Sequence, residues 1–208
     1  MWYICVSAVA YLLGSIPSGL IAGRVAGVDI RQCGSGNIGA TNVTRALGKK
    51  YGYPVFAADF SKGLVSVLFA SFIARHYLPQ PHTEILPIIA AVFVVLGNAF
   101  PVWLRFRGGK GVAVSAGMLF GLIPLAAICI VLLWALIFFT TRFVSLASIL
   151  AAICLPLAVW LTNCALGVDR PLVLYMSIIL SALVLVRHRT NITRLLKGEE
   201  ESFKRRES

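Results

Sequence analysis

A chain of 208 residues that is 59% hydrophobic and 13% charged, with a formal net charge of +11, does not have the make-up of a soluble globular domain. Soluble domains carry about a quarter charged residues, and a mean hydropathy of +0.87 keeps most of these side chains out of water. The five cysteines form no CxxC pair and lie mostly in apolar stretches, so small packing residues are a better reading than disulfides or metal ligands.

Apolar stretches of about bilayer length predict spans at 2–23, 54–74, 85–104, 111–123, 125–140, 143–163 and 171–186. The first has no basic residue ahead of its apolar run and reads as a span, not a signal peptide. Ser15, Pro17 and Ser18 interrupt it and could line a slot for a ligand. The second span carries Asp59 and Lys62, spaced on a helix so that they neutralise each other, either to fix the helix or to serve a site. Asn98 falls near the end of the third, while His76 and His82 fall at the other ends of their spans. Between the fourth and fifth lies Gly121-Leu122-Ile123-Pro124, either a tight turn or a kink within one long helix.

Charge decides between turn and kink. All but Arg75 and Arg170 of the 19 Lys and Arg fall in four groups, at 24–62, 105–110, Arg142 and 187–206. The positive-inside rule puts all four in the cytoplasm, which needs an even number of spans between any two of them. A single helix over 111–140 breaks that parity, and a turn at Pro124 restores it. The expectation is therefore an all-α polytopic membrane protein of seven transmembrane helices, N-terminus outside and C-terminus cytoplasmic. A single membrane domain would cover 1–198, followed by a charged, solvated cytoplasmic tail at 199–208.

Three basic, glycine-rich segments then share one face. The first runs Gly34-Ser35-Gly36-Asn37-Ile38-Gly39-Ala40-Thr41-Asn42, with Arg45 and Gly48 beyond. Glycines let backbone N–H groups turn together toward an anion, Ser, Thr and Asn add neutral donors, and Arg adds a fork for phosphate oxygens. Its G-x-G-x-x-G is not a dinucleotide fingerprint, because its neighbours are spans and not a βαβ unit. The second runs Arg105-Phe106-Arg107-Gly108-Gly109-Lys110-Gly111 into a helix near Val112, whose amides and dipole suit an anion beside Lys110. Arg105 and Arg107 read equally as ligands or as anchors to lipid headgroups. In the third, His188, Asn191, Arg194 and Leu195 share a helical face, on a helix that could also simply lie on anionic lipid.

These motifs resemble the bacterial acyl-phosphate:glycerol-3-phosphate acyltransferases (the PlsY type). The likeness rests on Gly34 to Gly48, on Asp59-Phe60-Ser61-Lys62-Gly63, on Phe100-Pro101 leading to Gly108-Gly109-Lys110-Gly111-Val112-Ala113, and on His188-x-x-Asn191-Ile192-x-Arg194-Leu195-x-x-Gly198-x-Glu200. It covers nearly the whole chain, with departures at Asn98, where the family usually has His, and at Val114, where it usually has Thr.

The resemblance implies seven spans, a place in the cell inner (plasma) membrane and an active site facing the cytoplasm. It implies transfer of a fatty acyl group from acyl phosphate to the primary hydroxyl of glycerol 3-phosphate, giving lysophosphatidic acid and phosphate. The catalytic set would be Ser35, Arg45, Lys110, His188 and Asn191. Gly34, Gly36, Asn37, Gly39, Thr41, Asn42, Gly108, Gly109, Gly111, Arg194 and Glu200 would hold substrate phosphate. Ser35, Asn37, Thr41 and Arg45 would face one phosphate or the reacting carbonyl oxygen, and Lys110 with the Gly108 and Gly109 amides would face the other. Asn191 would orient the nucleophile, and either His188 or a substrate phosphate would take the proton, free imidazole and phosphate ordinarily titrating at about 6 to 6.5. No metal and no cofactor are implied. The partners would be the two substrates, the bilayer and a soluble enzyme supplying acyl phosphate, with no nucleic acid.

Rival readings fit less well. A covalent Ser35 would need a base and an orienting carboxylate, and Asp29 is the only acid in its loop. No His-x-x-x-x-Asp occurs, which argues against the acyl-CoA-dependent type. A transporter of phosphorylated metabolites would show inverted repeats, and the two halves of the chain lack self-similarity.

Overall fold

The computed structural model describes residues 1–203, so Lys204, Arg205 and Arg206 of the expected basic tail lie outside the described residues. Among the described residues the regular structure is helical: α1 (Trp2–Ser15), α2 (Ser18–Val25), α3 (Ala40–Leu47), α4 (Lys49–Tyr77), α5 (His82–Ala99), α6 (Val112–Leu122), α7 (Pro124–Thr141), α8 (Val144–Leu166), α9 (Pro171–Arg187) and α10 (Arg189–Leu196), with two short 3-10 turns at Ile30–Gln32 and Val102–Leu104. Five segments are long and apolar enough to cross a membrane: Trp2–Val25, α4, α5, α7 and α8; α9 with α10, bent by 60° between them, makes a sixth if counted as one span. At 11 residues α6 rises only about 16 Å, half of the roughly 30 Å hydrocarbon core. The helix does break at Ile123, with Pro124 opening α7.

The chain divides at that break into two compact units, Met1–Leu122 and the chain from Ile123 onward. In the first unit, two helix pairs touch backbone to backbone. A Cβ on Gly14 would stand 2.1 Å from Val94 O, and one on Gly97 2.1 Å from Tyr11 O, so α1 and α5 approach through paired glycines. Gly63 and Gly117 do the same for α4 and α6, at 2.1 Å from Val114 O and 1.9 Å from Phe60 O. In lipid, where apolar side chains gain little by leaving the solvent, such close van der Waals contact is a main source of helix association.

The break in the first span is filled from α4. Pro17 has no N–H, and Lys62 Nζ donates to Ile16 O at 2.7 Å, to Asp59 Oδ1 at 2.7 Å and to Ser18 Oγ. Its three protons therefore have three acceptors, and Asp59 and Lys62, 7% and 6% exposed, form the expected ion pair. The slot expected at Ser15–Ser18 is thus occupied by this clasp, with Ser15 Oγ turned back to Tyr11 O.

In the second unit the start of the expected solvated tail folds back. Asn191 Nδ2 donates to Glu200 Oε1 at 2.7 Å, Phe203 N donates to Arg142 O at 2.8 Å, and the Phe203 ring lies 5.9 Å from that of Phe138. An aromatic residue at 203 gives this stretch an apolar anchor that its flanking charges conceal in the sequence.

Candidate active site

The first segment is organised from within by one side chain. Asn42, 2% exposed at the start of α3, donates through Nδ2 to Cys33 O (2.9 Å), Asn37 O (2.9 Å) and Ile30 O (3.3 Å). Its Oδ1 accepts from Ser35 N at 3.0 Å. Asn42 is consequently a scaffold for the loop, with its donors and acceptor turned inward. The loop amides likewise turn inward. Gly36 N donates to Cys33 O (3.0 Å) and Gly39 N to Asn37 Oδ1 (2.8 Å), while Ser35 N belongs to Asn42. Gly34 and Gly36, at φ +53° and +70°, supply the left-handed turns that bring those amides inward.

What this loop offers outward is side chains. Ser35 is exposed, Asn37 and Thr41 are half-buried, and Thr41 and Arg45 are one turn apart on α3. Asp29 is no base for Ser35. Arg31 takes both its oxygens, Nε to Oδ1 at 2.9 Å and Nη2 to Oδ2 at 2.6 Å. The Arg31 side chain and backbone N–H hold the Asp29 carboxyl down at about 2.

The second segment is fastened to the end of α5. Gly108 N donates to Ala99 O at 3.2 Å and Gly109 N to Asn98 O at 3.1 Å, so two last-turn carbonyls of α5 gain partners. These two amides therefore hold the loop to α5. Gly108 tolerates no side chain, since its Cβ would meet Asn98 O at 2.1 Å. The loop delivers half-buried Lys110 and buried Gly111 directly to the head of α6. Arg105 and Phe106 take left-handed backbone at φ +50° and +62°, and the exposed Arg105 and Arg107 flank Trp103 and Phe106, 63% and 59% exposed. That mixture of basic and aromatic side chains suits a headgroup anchor.

The two segments meet at Ile38. Its Cγ1 lies 3.9 Å from the Cβ position of Gly109, and its carbonyl presses on Gly19 of α2, where a Cβ would sit 1.7 Å away. Ile38 was not an expected site residue; the signal for it is an apolar side chain alone in a polar loop. It belongs to a core of Leu20, Ile30, Val43 and Val55, which carries the loop and α3 as one body.

The third segment belongs to the second unit. His188, 2% exposed, sits at the α9–α10 bend, and its Nδ1 lies 2.8 Å from Val184 O. A carbonyl only accepts, so Nδ1 is the nitrogen that donates here. Asn191, also buried, is held by Glu200, while Arg194 is half-buried on the same helix. Glu200 thereby supports Asn191, and its Oε2 is buried with no hydrogen-bond partner among the described residues. Among the described residues no three His, Cys, Asp or Glu side chains gather as a metal site would need.

Residues 4–198 match the family model described as glycerol-3-phosphate acyltransferase. The chain is 46% identical over 196 residues to the glycerol-3-phosphate acyltransferase of Geotalea daltonii, covering 94% of this chain and 95% of that one. It is 44% identical over 196 residues to that of Aquifex aeolicus, covering 93% and 95%. The crystal structure of PlsY (YgiH), an integral membrane glycerol 3-phosphate acyltransferase, in its glycerol 3-phosphate form superposes with a TM-score of 0.85 at 42% identity, covering 97% of this chain and 96% of the other. Its lysophosphatidic acid form superposes at 0.84 and 41% identity.

Proposed function

The chain belongs to the glycerol-3-phosphate acyltransferase family, an integral membrane acyltransferase of phospholipid synthesis, and from that premise we propose its particular reaction. A fatty acyl group passes from acyl phosphate to the primary hydroxyl of glycerol 3-phosphate, giving lysophosphatidic acid and inorganic phosphate. The hydroxyl oxygen bonds to the acyl carbon, the bond from that carbon to the phosphate oxygen breaks, and the hydroxyl proton leaves to a base. The observation that carries this reading is the meeting of two basic, glycine-rich segments at Ile38 and Gly109. Two phosphate-bearing substrates need two cationic holds, and Arg45 with Ser35, Asn37 and Thr41 is one, Lys110 at the head of α6 the other. An acyl phosphate already contains a good leaving group, so positioning and charge neutralisation are most of what remains.

Asn191 orients the nucleophile. His188, whose ring is set by the Nδ1–H bond to Val184 O, is our candidate for the base. The purified protein is expected to form lysophosphatidic acid from acyl phosphate and not from acyl-CoA; equal rates with the two donors overturn the donor assignment. In the same assay His188→Ala is expected to lower kcat about a hundredfold. Retention of most of kcat would give the proton to a substrate phosphate instead.

The inferred setting is the cell inner membrane, with seven spans, an outside N-terminus, a cytoplasmic C-terminus and a cytoplasmic active site. A soluble enzyme supplies the acyl phosphate. Charge parity supports this topology, and the helix break at Ile123 is where parity asks for a turn. A reporter fused at Gly121 is expected to read as external, and a cytoplasmic reading would sink the topology.

A further inference from the structure

Asn191 stands on a helix that cannot place it unaided. α10 is eight residues long, about two turns, and a 60° bend separates it from α9. A helix of that length does not persist by itself, so its bearing comes from what fastens its two ends. At the near end α10 grows from His188, whose N–H still bonds Val184 O of α9 at 3.0 Å. At the far end a hold comes from the chain that follows it.

That chain reverses at once. Gly198 takes left-handed backbone at φ +70°, and Gly198 N and Glu199 N close the helix on Leu195 O and Arg194 O, at 3.2 and 2.8 Å. The reversal brings Glu200 back along α10 to Asn191, and Phe203 then reaches the turn between α7 and α8. There Phe203 N donates to Arg142 O at 2.8 Å, and its half-buried ring meets that of Phe138 edge to face, at 5.9 Å and 70°. Phe138 is itself braced. It stacks on Trp134 at 5.1 Å, and Trp134 Nε1 donates to Ser148 Oγ of α8 at 3.1 Å. Phe203 is the single large apolar side chain after Leu196, in a stretch of glutamates that would otherwise favour water.

We propose that residues 199–203 form a strap anchored by Phe203, and that Phe203 is a positioning residue for Asn191, acting through Glu200. A carboxylate only accepts, so the 2.7 Å bond to Glu200 Oε1 turns the amino end of the Asn191 amide toward the strap and sets the direction of its oxygen. With the anchor released, Glu200 sits on a freer chain and the amide loses its fixed bearing. The role rests on the reading that Asn191 orients the nucleophile.

Steady-state kinetics on the intact protein test this. Phe203→Ala is expected to lower kcat about tenfold with both KM values within about twofold, because orientation of the nucleophile acts in the transition state and not in ground-state binding. Phe203→Tyr, which keeps the ring, is expected to restore kcat. Asn191→Ala should lower kcat about a hundredfold. In that background Phe203→Ala should cost nothing further, since the side chain it positions is gone. A merely structural anchor would instead cost the same factor in either background. Wild-type kcat in Phe203→Ala, a loss that Phe203→Tyr does not restore, or a loss that persists beside Asn191→Ala overturns the proposal. If Asn191→Ala lowers kcat while Phe203→Ala is silent, this inference alone fails. If Asn191→Ala is silent, the reading of Asn191 in the reaction fails with it.

Discussion

Replacing Lys110 with alanine is expected to lower kcat/KM for lysophosphatidic acid formation from acyl phosphate by about a thousandfold, roughly 4 kcal/mol of transition-state stabilisation. The size follows from the setting. Lys110 stands at the head of α6, on a loop that Gly108 N and Gly109 N fasten to Ala99 O and Asn98 O. Truncating the ammonium removes charge from the site while those two backbone bonds remain, and the melting temperature in detergent should stay within about 2 °C. Lys110→Arg keeps the charge on a bulkier, planar head and should recover only part of the rate. Full activity in Lys110→Ala would show that the phosphate is held elsewhere.

Asn42→Ala has an effect of comparable size on activity, by a different route. It strips the partner from Ser35 N and one partner each from Ile30 O, Cys33 O and Asn37 O, all at the root of the first segment. Groups left unsatisfied in this way cost about 1–3 kcal/mol apiece when buried, so a destabilisation of about 3 kcal/mol and a fall in Tm of several degrees are expected. Activity falls with it, because Ser35, Asn37 and Arg45 lose their common frame. Asn42→Asp should do no better, since a carboxylate would face three carbonyls without a proton to offer. A pure KM defect at unchanged Tm would instead make Asn42 a ligand. Thermal melts of both variants beside their kinetics decide the matter.

These two residues show what could be read from the sequence and what could not. The position of Lys110 at the head of α6 was legible, because a glycine-rich stretch running into an apolar one marks a helix start. So were the breaks at Pro17 and Pro124 and the pairing of Asp59 with Lys62, each set by local chemistry or by helical spacing. Asn42 was legible as a site residue but not in its role. A glycine-rich loop has the same composition whether its amides face an anion or curl inward upon one asparagine. The destination of a hydrogen bond to a residue seven or twelve positions away is decided by the closed loop, not by the residue type. The same limit hid the grip of Gly108 and Gly109 on α5 and the return of Phe203 to Arg142.

The clasp of Lys62 on the first span also bears on how the protein is made. Asp59 and Lys62 enter the bilayer on α4 as a charged pair, and two of the acceptors that complete the ammonium, Ile16 O and Ser18 Oγ, lie near the start of the chain. Since the ribosome delivers that stretch first, the broken carbonyl is already in the membrane when α4 arrives. Biogenesis and final structure therefore favour the same order: the earliest span waits with a gap, and a later one arrives bearing the charge that fills it.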